Sequence, residues 1–149
     1  MDKSFEKGCV LIVGGSGGIG SLCAKEFAQS GAKVVITYYK NEQAADEVAK
    51  AINNDVQIYQ SDNSDPKSVE ETFQKVVNDH GSINTLVNAA GFDIPQKFIS
   101  EIDIDLWRSV IDADINGFFN LIKFGLPHLR DSQGSIVFIS SAGLFKYPP

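Results

Sequence analysis

Basic residues are in short supply: 13 Lys and Arg stand against 19 Asp and Glu, which gives the 149-residue chain a formal net charge of −6. A protein that grips nucleic acid irrespective of sequence needs a basic face to neutralise phosphates, so that class is excluded. One small phosphorylated ligand is not excluded, because a few backbone amides suffice to hold it. Cysteine is scarce too, with Cys9 and Cys23 alone. Cys9 lies in an apolar run, and Cys23 falls on the Ile19/Cys23/Phe27 face of a predicted helix. Both read as small core residues of a reduced compartment, not as a disulfide or metal pair, and no metal site is expected. Long hydrophobic runs are missing, and the opening MDKSFEKG is too polar for a signal peptide. These two absences point to a cytoplasmic protein with no membrane partner.

What remains is the composition of an ordinary globular protein, 43% apolar and 21% charged, long enough for one domain over residues 1–149. Short apolar runs alternate with helical spacing. CVLIV (9–13), KVVITY (33–38), VQIYQ (56–60), INTLVN (83–88) and GSIVFIS (134–140) read as strands. Between them, residues 18–30 and 42–53 and the stretch opening at Asp65-Pro66 read as helices, with Asp65 as N-cap and Pro66 at the first helical position. A helix through Trp107 and a longer one over about 112–130 precede the fifth strand. Strands apolar on both faces, alternating with amphipathic helices, predict an α/β fold: a parallel sheet covered on both sides and joined by right-handed crossovers.

The first strand runs into VGGSGGIG (13–20). Gly15, Gly17 and Gly20 satisfy G-x-G-x-x-G, while Gly14, Gly18 and Gly20 satisfy G-x-x-x-G-x-G. In either case glycines permit a tight turn and let backbone approach a pyrophosphate, and the following helix N-terminus offers free N–H groups and partial positive charge. Set between a buried strand and a helix, the pattern indicates a dinucleotide site. Its candidates are Gly14, Ser16, Gly17, Gly18, Ile19 and Gly20. The plain alternative is a tight turn without a ligand. NAD-preferring sites usually carry an acid at the tip of strand two. Here that tip reads TYYKN (37–41), with no acid before Glu42. Lys40 can reach a 2′-phosphate and Tyr38 or Tyr39 can stack on adenine, so the reading is NADP in preference to NAD.

Three further signatures follow in order: SDNSD after strand three, NAAG (88–91) after strand four and ISS (139–141) after strand five. With the glycine turn, they resemble the short-chain dehydrogenase/reductase family, and its 3-oxoacyl-carrier-protein-reductase-like members in particular, from about residue 7 to the end. The resemblance selects Gly14, Gly18 and Gly20, and it implies a Rossmann-type doubly wound sheet of order 3-2-1-4-5. It implies that Asp62 and Asn63 contact the adenine end, and that Asn88, Ala89, Ala90 and Gly91 line the cofactor trough. Ser141 would hydrogen-bond the substrate oxygen. A fixed hydroxyl there suits the chemistry, because hydride arriving at a carbonyl carbon pushes negative charge onto oxygen.

Two departures stand out. The family's V-I-D-V-N-L-x-G reads VIDADINGFF (110–119) here, so Asp114 takes the position of an Asn that organises a proton-relay water. An ionised carboxylate accepts hydrogen bonds but donates none. Asn116, two residues on, faces elsewhere on the helix. Secondly, the family's Tyr-x-x-x-Lys is absent; Tyr147 follows Ser141 by only six residues and precedes Pro148 and Pro149. The expectation is therefore the first part of a longer reductase, lacking the family's last strands and helices. Strand five then becomes an edge with unpaired backbone groups. The helix at 112–130 is apolar on two sides, Ile115/Phe118/Phe119/Ile122 and Leu121/Phe124/Leu126. It should pack on the sheet and also form a homo-oligomer interface. The leading function is NADP(H)-dependent interconversion of a small-molecule carbonyl and alcohol, on a 3-oxoacyl thioester or small ketone. A non-catalytic dinucleotide-binding module is the alternative.

Overall fold

Every residue of β1 (Cys9–Val13) and of β2 (Val34–Tyr38) is buried, which fits strands covered on both faces. The computed structural model describes residues 8–52, 55–92, 95 and 97–140. With β3 (Gln57–Gln60), β4 (Ile83–Asn88) and β5 (Ser135–Phe138) these strands form one sheet of order β3-β2-β1-β4-β5. All four pairings are parallel; Leu11 sits beside Val35 on one side and Leu86 on the other. Alternation along β1 divides the core. Leu11 and Val13 face a layer with Phe73, Val76, Leu121 and Leu129, while Val10 and Ile12 face Ala24, Ile36 and Ala45. The first layer belongs to α3 (Pro66–His80) and α5 (Gly117–Ser132), the second to α1 (Gly18–Gln29) and α2 (Glu42–Ile52). The result is the Rossmann-type α/β sandwich expected from the strand and helix alternation. Among the described residues, no helix is long and apolar enough to cross a membrane.

The start of α3 is set by sequence chemistry. The Asp65 carboxylate accepts the Lys67 N–H at 3.0 Å, and Pro66 occupies the first turn, where its missing N–H costs nothing. Gly81, at φ +82°, ends the helix. In α1 the buried residues are Gly20 and Ala24, whereas Ile19 and Leu22 are 54% and 65% exposed. The small side of this helix faces the sheet because the helix sits flush against the glycine turn.

The two helices expected around Trp107 and 112–130 are one. α4 (Ile104–Val110) passes into a π-helical segment, Ile111–Asn116, and then directly into α5. The side of α5 bearing Gly117, Leu121, Gly125 and Leu129 is buried, while Phe118 and Phe119 on its other side, and Ile115 in the π-helical segment before it, are exposed. The helix is thus apolar on two sides, of which one is covered. β5 is shorter than the apolar run 134–140 suggests. The Ile139 N–H still donates to the Asn88 carbonyl at 3.1 Å, and the Phe138 ring lies 4.3 Å from that of Phe118.

Cys9 is 2% exposed, and burial pushes its thiol up to about 12, so it behaves as a small apolar residue. His80, at the end of α3, has a buried Nε2 with no hydrogen-bond partner among the described residues. Burial holds its imidazole below the ordinary 6.5, with Lys33 acting the same way and Asp79 and Asp55 opposing. Between the native and unfolded values the unfolded chain binds more protons. The stabilising contribution of neutral His80 is therefore complete above about pH 6.5 and is lost as pH falls below it. His80→Gln should flatten the drop in thermal midpoint between pH 7.5 and pH 5.5. Equal drops in the two proteins would remove His80 as a cause.

Candidate functional site

The turn from β1 into α1 is shaped by three glycines with different tasks. Gly14 has φ +75°, and a Cβ there would lie 2.7 Å from the Ala90 backbone. A Cβ on Gly20 would lie 2.2 Å from the Gly14 carbonyl oxygen, so only glycine lets the helix close on the turn. A Cβ on Gly18 would meet nothing within 4 Å. Gly18 therefore answers to no packing constraint, and the space beside it is open to a ligand. Gly17 occupies the N-cap with no side-chain cap, and the first turn contains no acid. Helix geometry leaves the N–H groups of Gly18, Ile19 and Gly20 without intrahelical acceptors, at the positive end of the dipole.

Beside this turn lies a cleft of about 540 Å³, within the range of small-ligand sites. It is built at the carboxyl ends of the strands, where the sheet order reverses between β1 and β4. Gly14 follows β1, Tyr38 ends β2 and Lys40 follows it, Asp62 and Asn63 follow β3, Ala90 and Gly91 follow β4, and Asp114 belongs to the π-helical segment. With Tyr39, which also borders the cleft, nine residues singled out in sequence thus share one wall system. Ser16, Gly17, Gly18, Ile19 and Gly20 sit on the adjoining turn and helix start rather than in the cleft lining.

Tyr38 is only 9% exposed and belongs to the core, whereas Tyr39 is 52% exposed. Tyr39 is thus the tyrosine with a ring available for stacking. The Lys40 ammonium lies 4.6 Å from the Tyr39 ring centroid, a cation–π contact. Among the described residues Lys40 enters no ion pair.

The loop after β3 is internally braced. The Asp62 carboxylate accepts from the Ser64 N–H at 2.9 Å and from the Ser64 hydroxyl at 2.6 Å, while the Asp62 N–H donates to Ser68 Oγ at 2.9 Å. The Asn63 carbonyl accepts from Asn120 Nδ2 at 2.9 Å, which ties the loop to α5. After β4, Asn88 Oδ1 accepts the Ala90 N–H at 3.2 Å, and the Ala89 N–H donates to the Val13 carbonyl at 2.9 Å. Asn88 and Ala89 therefore hold the trough together, and Ala90 and Gly91 face the cleft.

Asp114 is half-buried, and its Oδ1 accepts the Phe92 N–H at 2.9 Å. Ser109 on α4 and Asp114 in the π-helical segment both border the cleft. Asn116 donates instead to Asp112 at 2.8 Å and is exposed, so it does not stand in for Asp114. Ser141 and Tyr147 lie outside the described residues; Ser140, just before, is exposed. Ser61 and Ser64 of SDNSD, Asp112 of VIDADINGFF, Thr37 and Ser109 also border the cleft, although the sequence reading gave none of them a role. For Thr37, the position near the end of β2 is the one cue the sequence offered.

A glycine turn feeding a helix at the reversal point of a parallel sheet defines a Rossmann-type dinucleotide fold. The sequence profile of the short chain dehydrogenase family matches residues 8–148, and the chain belongs to that family of oxidoreductases. It is 31% identical over 147 residues to an uncharacterized oxidoreductase of Staphylococcus epidermidis, covering 98% of this chain and 63% of that protein. It is 34% identical over 134 residues to meso-2,3-butanediol dehydrogenase of Serratia marcescens, covering 89% and 53%. A short-chain dehydrogenase/reductase structure from Serratia marcescens superposes with a TM-score of 0.85 at 27% identity, over 96% of this chain and 59% of that one. The structure of ElxO with NADP bound gives 0.82 at 32% identity, over 95% and 59%. The chain thus spans between half and two thirds of the length of these relatives.

Proposed function

We propose that this chain provides the cofactor-binding part of an NADP(H)-dependent oxidoreductase that interconverts a small ketone and its alcohol. The observation that carries the cofactor choice is Lys40. It borders the cleft at the tip of β2, where no carboxylate precedes Glu42, so a 2′-phosphate meets a cation at that tip. The likeness to the NADP-bound ElxO structure supports the same choice.

In this reading the Gly14–Gly20 turn and the free amides of α1 take the pyrophosphate. Asp62 and Asn63 border the adenine, Tyr39 offers a stacking ring, and Ala90 and Gly91 form the trough leading toward the substrate. Nicotinamide, when bound, supplies or accepts the hydride. Ser141 donates to the substrate oxygen as it gains negative charge. Asp114 holds the backbone at Phe92 and so fixes the far wall. The likeness to meso-2,3-butanediol dehydrogenase supports a small ketone or alcohol over a 3-oxoacyl thioester. The exposed outer side of α5, with Phe118 and Phe119, supports a homo-oligomer through that helix.

Fluorescence titration of the chain with NADPH and NADH tests the assignment. NADPH should bind at least about 10-fold more tightly, a difference of about 1.4 kcal/mol, and Lys40→Ala should remove most of that margin. Equal affinities in the unsubstituted chain, or binding of neither cofactor, would reject it.

A further inference from the structure

We infer that Thr37 is a positioning residue for the pyrophosphate grip, acting through the backbone of Gly14. The inference rests on the dinucleotide reading above and adds to it a residue that no glycine pattern contains. Thr37 carries the one aliphatic hydroxyl in the strand VVITY, and it is 2% exposed. It makes two bonds to the turn. Its carbonyl accepts the Gly15 N–H at 3.0 Å, and its Oγ1 accepts the Gly14 N–H at 3.3 Å. Any residue at this position could make the first bond. The second requires the hydroxyl.

Gly14 is the residue where the orientation of the turn is decided. It carries the left-handed φ, and Ala90 of the neighbouring trough presses against it from the other side. A hydrogen bond from β2 and a steric wall after β4 together fix its peptide plane. The planes that follow inherit that orientation, so the amides of the turn and helix start point into the ligand space before a ligand arrives. Binding then spends little on ordering the loop. Valine would fill nearly the same volume in this strand, but it would leave the Gly14 N–H facing a methyl group.

The test compares Thr37→Val and Thr37→Ser by calorimetric titration with NADPH and with 2′-AMP, which carries the 2′-phosphate and no pyrophosphate. Thr37→Val should weaken NADPH about 10-fold, as expected for one buried N–H losing its acceptor, and leave 2′-AMP within about twofold. Thr37→Ser, which keeps the hydroxyl, should restore NADPH to within about twofold of the unsubstituted chain. Unchanged NADPH affinity in Thr37→Val would overturn the positioning role and leave the cofactor assignment intact. Equal weakening of both ligands would also overturn it, since that marks general loosening. Failure of the unsubstituted chain to bind NADPH would remove both readings. Amide hydrogen exchange on the unsubstituted chain needs no variant to fold: the Gly14 N–H should be protected without ligand, and free exchange there would sink the inference.

Discussion

Phe73→Ala should lower the unfolding free energy by about 3–5 kcal/mol, the range for deleting a fully buried aromatic ring. Phe73 is 1% exposed and lies between α3 and α5. Its ring tip sits where a Cβ on Gly125 would come within 2.8 Å, close to Leu86, and it stacks at 6.1 Å on His128. Such contacts mean that few neighbours can move in to fill the space, because Gly125 has no side chain to offer. A domain of this size commonly has only about 5–15 kcal/mol in total, so the variant should stand near the limit of folding. Denaturant titration gives the measurement. A loss under about 1 kcal/mol would contradict the packing of α3 against α5.

Gly18→Val should have a contrasting outcome. Nothing occupies the position its Cβ would take, and the φ of Gly18 is not left-handed. Stability should therefore stay within about 0.5 kcal/mol, as for surface substitutions. Dinucleotide affinity should fall about 100-fold or more, because the branched side chain would fill the space in front of the helix N-terminus where the phosphates come closest. The two measurements must be made on one preparation. Binding within about threefold of the unsubstituted chain would show that the pyrophosphate lies elsewhere. A large loss of stability would show instead that the site is packed.

Much of this architecture was legible. The bounds of β4 and the Asp65-Pro66 start of α3 match the sequence reading because their signals are local: an apolar run between polar ends, and a capping carboxylate. The face of α1 was harder to read. Apolar spacing marks Ile19, Cys23 and Phe27; Cys23 and Phe27 pack against the core, but close approach to the turn buries Gly20 and Ala24 and leaves Ile19 exposed, and a hydropathy pattern does not register a backbone-to-backbone distance. The continuity of the helix through Ile111–Asn116 was hidden for a related reason. A π turn breaks the 3.6-residue period, so one helix reads as two. Tyr38 and Tyr39 are adjacent and identical in type; only the end of β2 decides which is buried. Asp114 was visible as a departure from the family pattern, but its bond to the Phe92 N–H depends on how the helix passes the β4 loop. Thr37 left no mark, because a threonine in a strand is ordinary.

The sheet order has a consequence for synthesis on the ribosome. Gly14 rests against Ala90, and β1 pairs with β4 across about half of the chain. The nucleotide cradle is written in the first twenty residues, yet it cannot set until the fourth strand has been made and has left the exit tunnel. A nascent polypeptide ending before Ala90 carries the whole glycine signature and the Thr37 bonds, but lacks the wall that meets Gly14. If the turn takes the pyrophosphate as proposed, its capture is a late event, timed by a strand whose own sequence contains no phosphate motif.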